Sequence, residues 1–475
     1  MMTTDASAGA VVLAEQQAAS TLLHGALSEA ASQHAGALEA GRLPADAGTF
    51  RKNYSSILPT FEAARLDSEA RGDIAGLIVS CLNGAVHWQS GSTSMPLADA
   101  LTLPAQPLAL ESHVFPGRAG WRPNIVYRGE RWQARQLADL GTAMVERGVV
   151  TGYAGKALAW VGDELLDDGE LHLAGRKIAV LGGGAEMAPT RFWLEAGADV
   201  LWLDTVAPPD EWRANGEMAG RLSWAAANTD LLAQPQAVLA TLTAFADGVP
   251  LDLGLYAYAP GQARELRLTA TMNALVNALP PELVRSVTML VSPTTPTALT
   301  AADLFAMNAR LAERPSWEAV LAALGLLGRG GGAATVGKGA ASRTVVGIQG
   351  ASYQAAQYVG KVLAAEVWAQ AADFRVSANT AAITRTRSLA HPVFAAAFGG
   401  AAAMGVETLT PRQSRRINGL LTVHDWLHPQ TPVPGLVRVH GGIHTLPYPL
   451  EKALRVAATI GFARSPRLLR GLLTS

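Results

Sequence analysis

The chain has 475 residues, of which 49% are hydrophobic and 16% are charged. This length and composition predict a large buried core and more than one ordinary domain, and they exclude a globally disordered chain. The formal net charge of −1 gives no indication of nucleic-acid binding. Cys81 is the single cysteine, which excludes an intramolecular disulfide and a cysteine-rich metal site. The ten histidines lack paired spacing, so we expect no metal.

The first residues do not have the composition of a secretion signal. Asp5 and Glu15 stand where a signal peptide would have a basic segment and a long apolar one. The longest apolar run, Pro392–Val406, is too short and too rich in glycine and alanine for a transmembrane helix. We therefore expect a cytoplasmic protein.

Residues 1–175 have mainly helical patterns and no recognisable chemical motif. A stretch rich in proline and glycine holds Arg118, Trp121 and Arg122, which we interpret as a surface loop, with the lining of a site as the alternative. We expect this region to be a mainly helical accessory domain packed on the rest of the chain. Its helices are expected within Val11–Leu38, Phe61–Arg71, Trp132–Arg147 and Tyr153–Leu166.

A glycine-rich turn follows the apolar run Lys177–Leu181, which predicts a buried strand. The three glycines 182–184 precede a helix expected over Glu186–Ala196, and a second apolar strand, Asp199–Leu203, ends at Asp204. Strand, glycine turn, helix and strand in this order predict the first half of a dinucleotide-binding unit. The alternative is an α/β domain whose glycines only make a tight turn.

The physical role of each part supports a dinucleotide. Glycines let the backbone approach a pyrophosphate, and the N-terminus of the following helix favours its negative charge. Asp204 lies about 20 residues beyond the first glycine, where an acid accepts hydrogen bonds from a ribose 2′-hydroxyl. Because an acid disfavours a 2′-phosphate, NAD is expected rather than NADP. One departure is that the third glycine of the usual fingerprint would fall at Met187.

Strands and helices continue to alternate after Asp204, which predicts a doubly wound parallel sheet, a Rossmann-like α/β fold, over residues 176–475. The expected strands and helices are Arg221–Ala226, Pro235–Ala246, Leu251–Ala259, Arg264–Leu279 and Val287–Ser292.

Several of these strand ends resemble those of the short-chain dehydrogenase/reductase family, over roughly residues 176–445. Phe374–Thr386 is similar to the family's sixth strand and nicotinamide loop, Leu436–Gly442 is similar to its last strand, and Tyr256–Ala259 replaces its Asn-Asn-Ala-Gly segment. The resemblance implies an NAD(P)-dependent oxidoreductase, with Ser292 and Asn273 in catalytic positions. It implies cofactor contacts at Gly182, Gly183, Gly184, Glu186, Met187, Asp204, Asn228, Asp230, Ala257 and Thr386.

The family's Tyr-x-x-x-Lys pair is absent. A lysine one helical turn from the tyrosine acidifies the phenol that protonates the substrate oxygen, but Gln357 stands four residues after Tyr353. The same helix offers Tyr358 and Lys361, so the catalytic candidates are Tyr353 with Lys361, or Tyr358 with Lys361, which share a face. The alternative is an aromatic helix face packed on the sheet.

Residues 297–343 form an insertion relative to the family. Its segment Gly328–Gly339 imitates a phosphate-binding loop but lacks the Ser or Thr after Lys338, so we interpret it as a mobile active-site lid. His440 and His444 lie near the expected nicotinamide end and are interpreted as structural.

The basic, amphipathic C-terminal segment Tyr448–Leu473 is expected to cover the core or a subunit interface, with peripheral membrane contact as the alternative.

The function hypothesis is an NAD(P)-dependent oxidoreductase that transfers hydride to or from a carbonyl or an activated C=C of a largely apolar small molecule. The apolar character is inferred from the insertion, which is rich in leucine and alanine. Nucleic acid is not expected as a partner, and a homo-oligomer is compatible with the sequence. The alternative is a Rossmann scaffold or sensor that binds a nucleotide without turnover. If the phenol of Tyr353 or Tyr358 faces Ser292 in the structure, the oxidoreductase hypothesis is favoured over the scaffold.

Overall fold

The computed structural model describes residues 9–14, 17–118, 120–214, 216–261, 263–328, 330–371, 374–429 and 437–469. The first part of the chain contains short strands as well as helices. Its elements are β1 Ala10–Leu13, α1 Ala19–Gln33, α2 Ala35–Leu38, α3 Ala47–Asp67, α4 Arg71–Gly84, β2 Val86–Ser90, β3 Thr93–Pro96, α5 Leu97–Ala100, β4 Leu110–Val114, β5 Asn124–Tyr127, β6 Glu130–Gln133, α6 Gln136–Glu146 and α7 Gly152–Trp160.

The remainder of the chain alternates strands and helices, as the sequence predicts. Its elements are β7 Lys177–Leu181, α8 Thr190–Glu195, β8 Asp199–Leu203, β9 Arg221–Ala225, α9 Pro235–Ala246, β10 Leu251–Leu255, α10 Arg264–Ala278, β11 Val284–Val291, α11 Ala301–Ala312, α12 Ser316–Ala323, β12 Ala333–Val336, β13 Gly339–Ser342, α13 Ala351–Val362, α14 Trp368–Ala371, β14 Arg375–Thr380, α15 Pro392–Gly400, α16 Pro411–Leu427, β15 Val437–Arg438 and α17 Leu450–Arg464.

One sheet of eight strands organises the molecule, in the order β15-β14-β11-β10-β7-β8-β9-β4. The seven strands from β7 onward that join it are parallel, and β4 lies antiparallel on the β9 edge. Counted along the chain from β7, the parallel strands have the order 3-2-1-4-5-6-7. This is the doubly wound Rossmann arrangement with one more strand, so the predicted fold class is confirmed.

Alternate residues of the central strands belong to two separate cores. Ala179 and Leu181 of β7 pack into a core with α9, α10 and α13. Ile178 and Val180 of the same strand pack into a core with α8 and α16 on the other face. Because side chains alternate across a strand, a sheet covered on both faces requires continuous apolar strands, which is the pattern that predicted it.

Residues before 176 are built into both of these cores. Helices α1, α3 and α4 join the core of α10 and α13, whereas α6 and α7 join that of α8 and α16. Strand β4 also extends the main sheet, since Ser112 pairs with Ser223. The boundary predicted near residue 175 therefore does not separate two cores.

The helix after the glycine turn is shorter than predicted. It begins at Thr190 rather than at Glu186 and has six residues. Consecutive turns occupy the residues between the glycines and Pro189, with Ala185 N–H donating to Gly182 and Ala188 N–H to Ala185. Pro189 then precedes the first helical residue. A helix this short adds little dipole to the glycine turn.

The insertion contains α11, α12 and a β-hairpin formed by β12 and β13. The hairpin packs on α3, where Ala334 and Ala341 contact Ala63 and the backbone N–H of Lys338 donates to Asp67 (2.7 Å). None of the described residues of Gly328–Gly339 lines the cavity described below, which does not fit the interpretation of this segment as an active-site lid. Over the described residues, none of the helices has both the length and the apolarity that crossing a bilayer requires.

Candidate functional site

A cavity of about 940 Å³ lies at the carboxyl edge of the parallel sheet. The residues that follow β7, β8, β10, β11 and β14 all line it. This edge, near the point where the strand order reverses, is where open α/β sheets bind ligands. The strand-end residues in its wall are Gly182, Asp204, Tyr256, Ala257, Ser292 and Ala381.

The glycine turn has the close backbone approaches that explain its composition. Gly182 has φ +90°, and a Cβ on it would lie 2.4 Å from the backbone nitrogen of Ala257. A Cβ on Gly183 would lie 2.5 Å from the indole of Trp202. Since a side chain fits at neither position, these glycines are required by the turn itself. Gly183 does not line the cavity, because the Trp202 ring covers it.

Asp204 is bound to the glycine turn. Its carboxylate accepts hydrogen bonds from the backbone N–H of Gly184 (2.9 Å) and of Val206 (3.2 Å). The side chain is half-buried and lines the cavity. The acid predicted from its distance along the chain therefore lies beside the turn that it was predicted to accompany.

The loop after β14 closes the same end of the cavity. Glu186, in the glycine turn, accepts a hydrogen bond from the backbone N–H of Arg387 (3.2 Å). Glu186, Met187, Thr386 and Arg387 all line the cavity. The two segments to which the resemblance assigns cofactor contacts are thus in direct contact.

Asn228 and Asp230 do not line the cavity. Both side chains are exposed in the loop after β9, where Asp230 accepts from the backbone N–H of Leu232 (2.8 Å). That contact stabilises the local turn. The structure therefore brings the other predicted cofactor residues, apart from the covered Gly183, to the lining of the cavity and leaves Asn228 and Asp230 outside it.

A cluster of uncharged polar side chains lies where β11 ends. The hydroxyls of Ser292 and Thr294 are 2.8 Å apart, and Thr294 donates to the side-chain oxygen of Gln349 (2.7 Å). The backbone N–H of Ser292 donates to the side-chain oxygen of Gln357 on α13 (2.7 Å). Tyr353, one turn before Gln357, directs its phenol at this cluster. All five residues line the cavity.

The environment of Tyr353 keeps its phenol protonated. Burial raises the pKa of Tyr353 to about 12, although hydrogen bonding with Ser292 and Thr294 acts in the opposite direction. The ring of Tyr258 packs edge-on against it, with ring centroids 6.1 Å apart. The phenol is therefore a hydrogen-bond donor at neutral pH and does not supply a base.

Lys361 and Tyr358 face away from the cavity, which corrects the expectation that Lys361 lies beside Tyr353. The Lys361 ammonium donates to Glu62 of α3 and to the carbonyl of Pro296, and the Tyr358 hydroxyl donates to Glu62 (2.8 Å). Arg65 binds the same carboxylate and also reaches Glu366 (3.2 Å). Burial disfavours the charged form of Glu62, but the charges of Arg65 and Lys361 outweigh it and lower its pKa to about 2. Both candidates therefore belong to a buried ion cluster that joins α3 to α13.

Asn273 also lies outside the cavity. It is buried on α10, where its amide donates to Asn83 (2.9 Å) on α4 and its carbonyl accepts from Asn277 (3.3 Å). The catalytic role that the resemblance implies for Asn273 does not fit this location, because its side chain is bound to Asn83 of α4 and does not line the cavity.

Sequence reasoning missed Thr294, Gln349 and Gln357 as members of the polar cluster. In the resemblance, Gln357 only marks the position where the family has its lysine. The available signal was its position one helical turn after Tyr353, which places both side chains on the same face. No local sequence pattern predicts that Thr294 and Gln349 meet, because they are 55 residues apart in the chain and come together only in the folded protein.

The far end of the cavity is apolar. It is formed by α15, the residues that follow it, the loop 443–446 and α17, and none of the described lining residues belongs to the insertion 297–343. The sequence analysis infers an apolar substrate from the leucine-rich insertion, but the apolar wall of the cavity is formed by a different part of the chain. His440 and His444 stack behind this wall with ring centroids 4.6 Å apart, and burial lowers the pKa of both, so they are neutral.

No protein-family model matches the sequence, and no curated protein matches it. Among solved structures, the crystal structure of an NADH-dependent reductase, A1-R', responsible for alginate metabolism, is similar at 15% sequence identity, over 57% of this chain and 98% of that chain, with a TM-score of 0.33. A similarity this low adds no functional weight. The Rossmann-like fold is established by the strand order and by the glycine turn at the edge of the sheet.

Proposed function

We propose that the protein is an NAD(H)-dependent oxidoreductase that transfers hydride to or from a carbonyl or an activated C=C of an apolar small molecule. The observation that carries the proposal is that one cavity joins the glycine turn with Asp204 to the hydroxyl cluster of Ser292 and Tyr353. A site that only binds a nucleotide would not require the protonated phenol of Tyr353 in the same cavity.

The residues at the glycine turn fit a dinucleotide. Gly182 and Gly184 line the cavity without side chains of their own, so the backbone of the turn would allow close approach of a pyrophosphate. Asp204 would accept hydrogen bonds from a ribose 2′-hydroxyl and repel a 2′-phosphate, which favours NAD over NADP. When bound, the nicotinamide supplies or accepts the hydride.

The polar cluster would handle the charge and the proton at the substrate oxygen. In reduction, the carbonyl π electrons move to oxygen as the carbon receives hydride, and the phenol of Tyr353 donates its proton to that oxygen. An alkoxide is a stronger base than a phenolate, so a phenol with a pKa of about 12 still donates to it. Ser292 would hold the same oxygen by a hydrogen bond, and solvent returns the proton to Tyr353.

A non-catalytic nucleotide-binding scaffold is the second candidate. The observation that favours it is that Lys361, the one cation of α13, is bound to Glu62 outside the cavity. The phenol of Tyr353 is therefore not acidified by the cation that the resemblance assigns to it.

The decisive experiment combines dinucleotide titration with turnover. We expect NADH to bind more tightly than NADPH and aliphatic aldehydes to be reduced with NADH. Tight NADH binding with no turnover of any aldehyde, ketone or enone tested would favour the scaffold, and failure to bind either dinucleotide would reject both candidates.

A further inference from the structure

The cavity continues beyond the hydroxyl cluster into a second half with a uniform lining. Every lining residue contributed by α15, α17 and the segments 401–406 and 443–446 is apolar. These residues are Phe394, Ala397, Phe398, Ala401, Met404, Val406, Ile443, Leu446, Leu450, Ala453, Leu454 and Ala457.

The charged lining residues are confined to the other half. Glu186 and Asp204 belong to the dinucleotide end, and Arg387 is bound there through its backbone to Glu186. Glu265 lies on α10 beside Ser352, next to the phenols of Tyr258 and Tyr353. A charged group on the distal part of a substrate would lose its hydration in the apolar half without gaining a partner, which is strongly unfavourable.

Glycines fix the separation of the two helices that form this wall. A Cβ on Gly400 of α15 would lie 1.9 Å from the carbonyl oxygen of Ala457, and one on Gly461 of α17 would lie 1.8 Å from that of Ala396. The helices therefore pack backbone against backbone along this wall.

Small side chains on the cavity face of these helices leave a channel. The lining face of α17 extends from Leu450 to Ala457, about 10 Å at 1.5 Å per residue. Ala453 and Ala457 on this face, and Ala397 and Ala401 on the adjoining part of the same wall, are the smallest side chains of the lining and take up little of the space. This stretch of apolar wall is longer than a methyl or ethyl group.

We propose that this half of the cavity binds an unbranched aliphatic chain of medium length, attached to the carbonyl or C=C that Ser292 and Tyr353 hold. The chain is uncharged at its far end. This inference rests on the proposed function for the reacting group, but the binding of the chain itself does not require the dinucleotide.

Binding is tested with the unreactive amides butanamide, hexanamide, octanamide and decanamide, titrated calorimetrically into the full-length protein. Each methylene that enters the channel should increase affinity about fourfold, which corresponds to about 0.8 kcal/mol per buried methylene. Affinity should level off once the channel is filled. Equal affinity for all four amides, or tighter binding of benzamide than of octanamide, would overturn the proposal.

Two variants test the position of the chain. Ala457→Leu should move the plateau to shorter amides, and Phe398→Ala should move it to longer ones. Thr459→Leu is the matched control, because Thr459 is exposed on the same helix and does not line the cavity. If the plateau is the same in both channel variants as in the control, the chain binds elsewhere. Far-UV circular dichroism and thermal unfolding of each variant report whether the fold is intact.

The corresponding aldehyde series separates this inference from the proposed function. If amides bind with the expected length dependence but NADH does not bind, the oxidoreductase proposal fails and the chain site remains. If butanal and decanal are reduced with equal kcat/KM, the oxidoreductase proposal stands and the chain site is rejected.

Discussion

The side-chain oxygen of Gln357 accepts a hydrogen bond of 2.7 Å from the backbone N–H of Ser292. This contact joins α13, which carries Tyr353, to the end of β11, which carries the hydroxyl cluster. The geometry of the polar cluster therefore depends on a neutral amide at the position where the resemblance assigns a lysine.

Replacing Gln357 with leucine should lower the free energy of unfolding by about 1–3 kcal/mol, because it leaves the backbone donor of Ser292 without its acceptor. Gln357→Glu retains an acceptor at the same distance and serves as the matched control for that hydrogen bond. Urea denaturation of both variants measures the difference. Equal stability of the leucine variant and the wild type would show that solvent replaces the amide.

Exchanging Asp204 for alanine should weaken NADH binding by about 1–3 kcal/mol, since ribose hydroxyls lose a charged acceptor. NADPH binding should weaken less or improve, because the carboxylate that repels a 2′-phosphate is removed. Fluorescence titration with both dinucleotides measures this change in preference. Asp210→Ala is the control, because Asp210 is exposed and pairs only with Arg213 among its described ionic contacts. Unchanged NADH affinity in Asp204→Ala would reject the ribose assignment.

Tyr353 and Tyr358 provide a matched pair on one helix. Tyr353→Phe should reduce turnover about 10²–10⁴-fold, the range for a general acid, and leave dinucleotide affinity unchanged. Tyr358→Phe should keep turnover, because its hydroxyl is bound to Glu62 outside the cavity, and should instead cost about 1–3 kcal/mol of stability. Steady-state kinetics and urea denaturation distinguish the two effects. The reverse pattern would make Tyr358 the proton donor and reject the site described above.

The parts of the site that local sequence determines were predictable. A strand of apolar residues, glycines in a turn that only glycine fits, and an acid at the next strand end each have a signal within about 30 residues. Gly182 and Asp204 lie where the pattern placed them. The sequence predicts too early a start for α8, because Pro189 is compatible with a first helical turn, whereas the residues before it form separate turns.

Contacts between distant segments were not predictable from one sequence. Lys361 looked like a partner for Tyr353 because they share a helix, but its carboxylate partner, Glu62, is 299 residues away in the sequence. The glycines of Gly328–Gly339 predict a mobile lid because they lack side chains to pack, yet Asp67 and Ala63 of α3 contact the hairpin β12–β13, which contains the second half of this segment. The apolar half of the cavity likewise requires α15 and α17 to pack together. Gly400 and Gly461 allow this close contact, but the sequence does not show that the two helices meet.

The ion cluster between α3 and α13 should make stability depend on acid pH. Glu62 has a pKa of about 2 in the folded protein, below its ordinary value of 4.5, so its contribution is complete above about pH 4.5 and is lost as the pH falls towards 2. Glu62→Gln should cost about 3–5 kcal/mol at neutral pH, because it leaves Arg65 and Lys361 buried with less compensating charge. The difference from the wild type should shrink over the acid range.

Urea denaturation at several pH values measures this difference. Glu282→Gln is the control, because Glu282 is exposed. A difference between Glu62→Gln and the wild type that stays constant down to the lowest accessible pH would contradict the ionised state of Glu62.

The pH dependence of carbonyl reduction should distinguish a buried, unassisted phenol from one acidified by a lysine. Reduction requires the protonated form of Tyr353, and burial raises the pKa of this phenol to about 12. The active form therefore persists as the pH rises, and kcat/KM should not fall with a phenol ionisation until the pH approaches 12. A nearby ammonium would move this loss of activity to lower pH, because it stabilises the phenolate. The measurement is kcat/KM for octanal between neutral pH and the alkaline stability limit, with NADH saturating and the Tyr353→Phe variant as the reference for ionisations elsewhere. A fall in the wild type near pH 8, absent from Tyr353→Phe, would show that a cation reaches the phenol in the working enzyme.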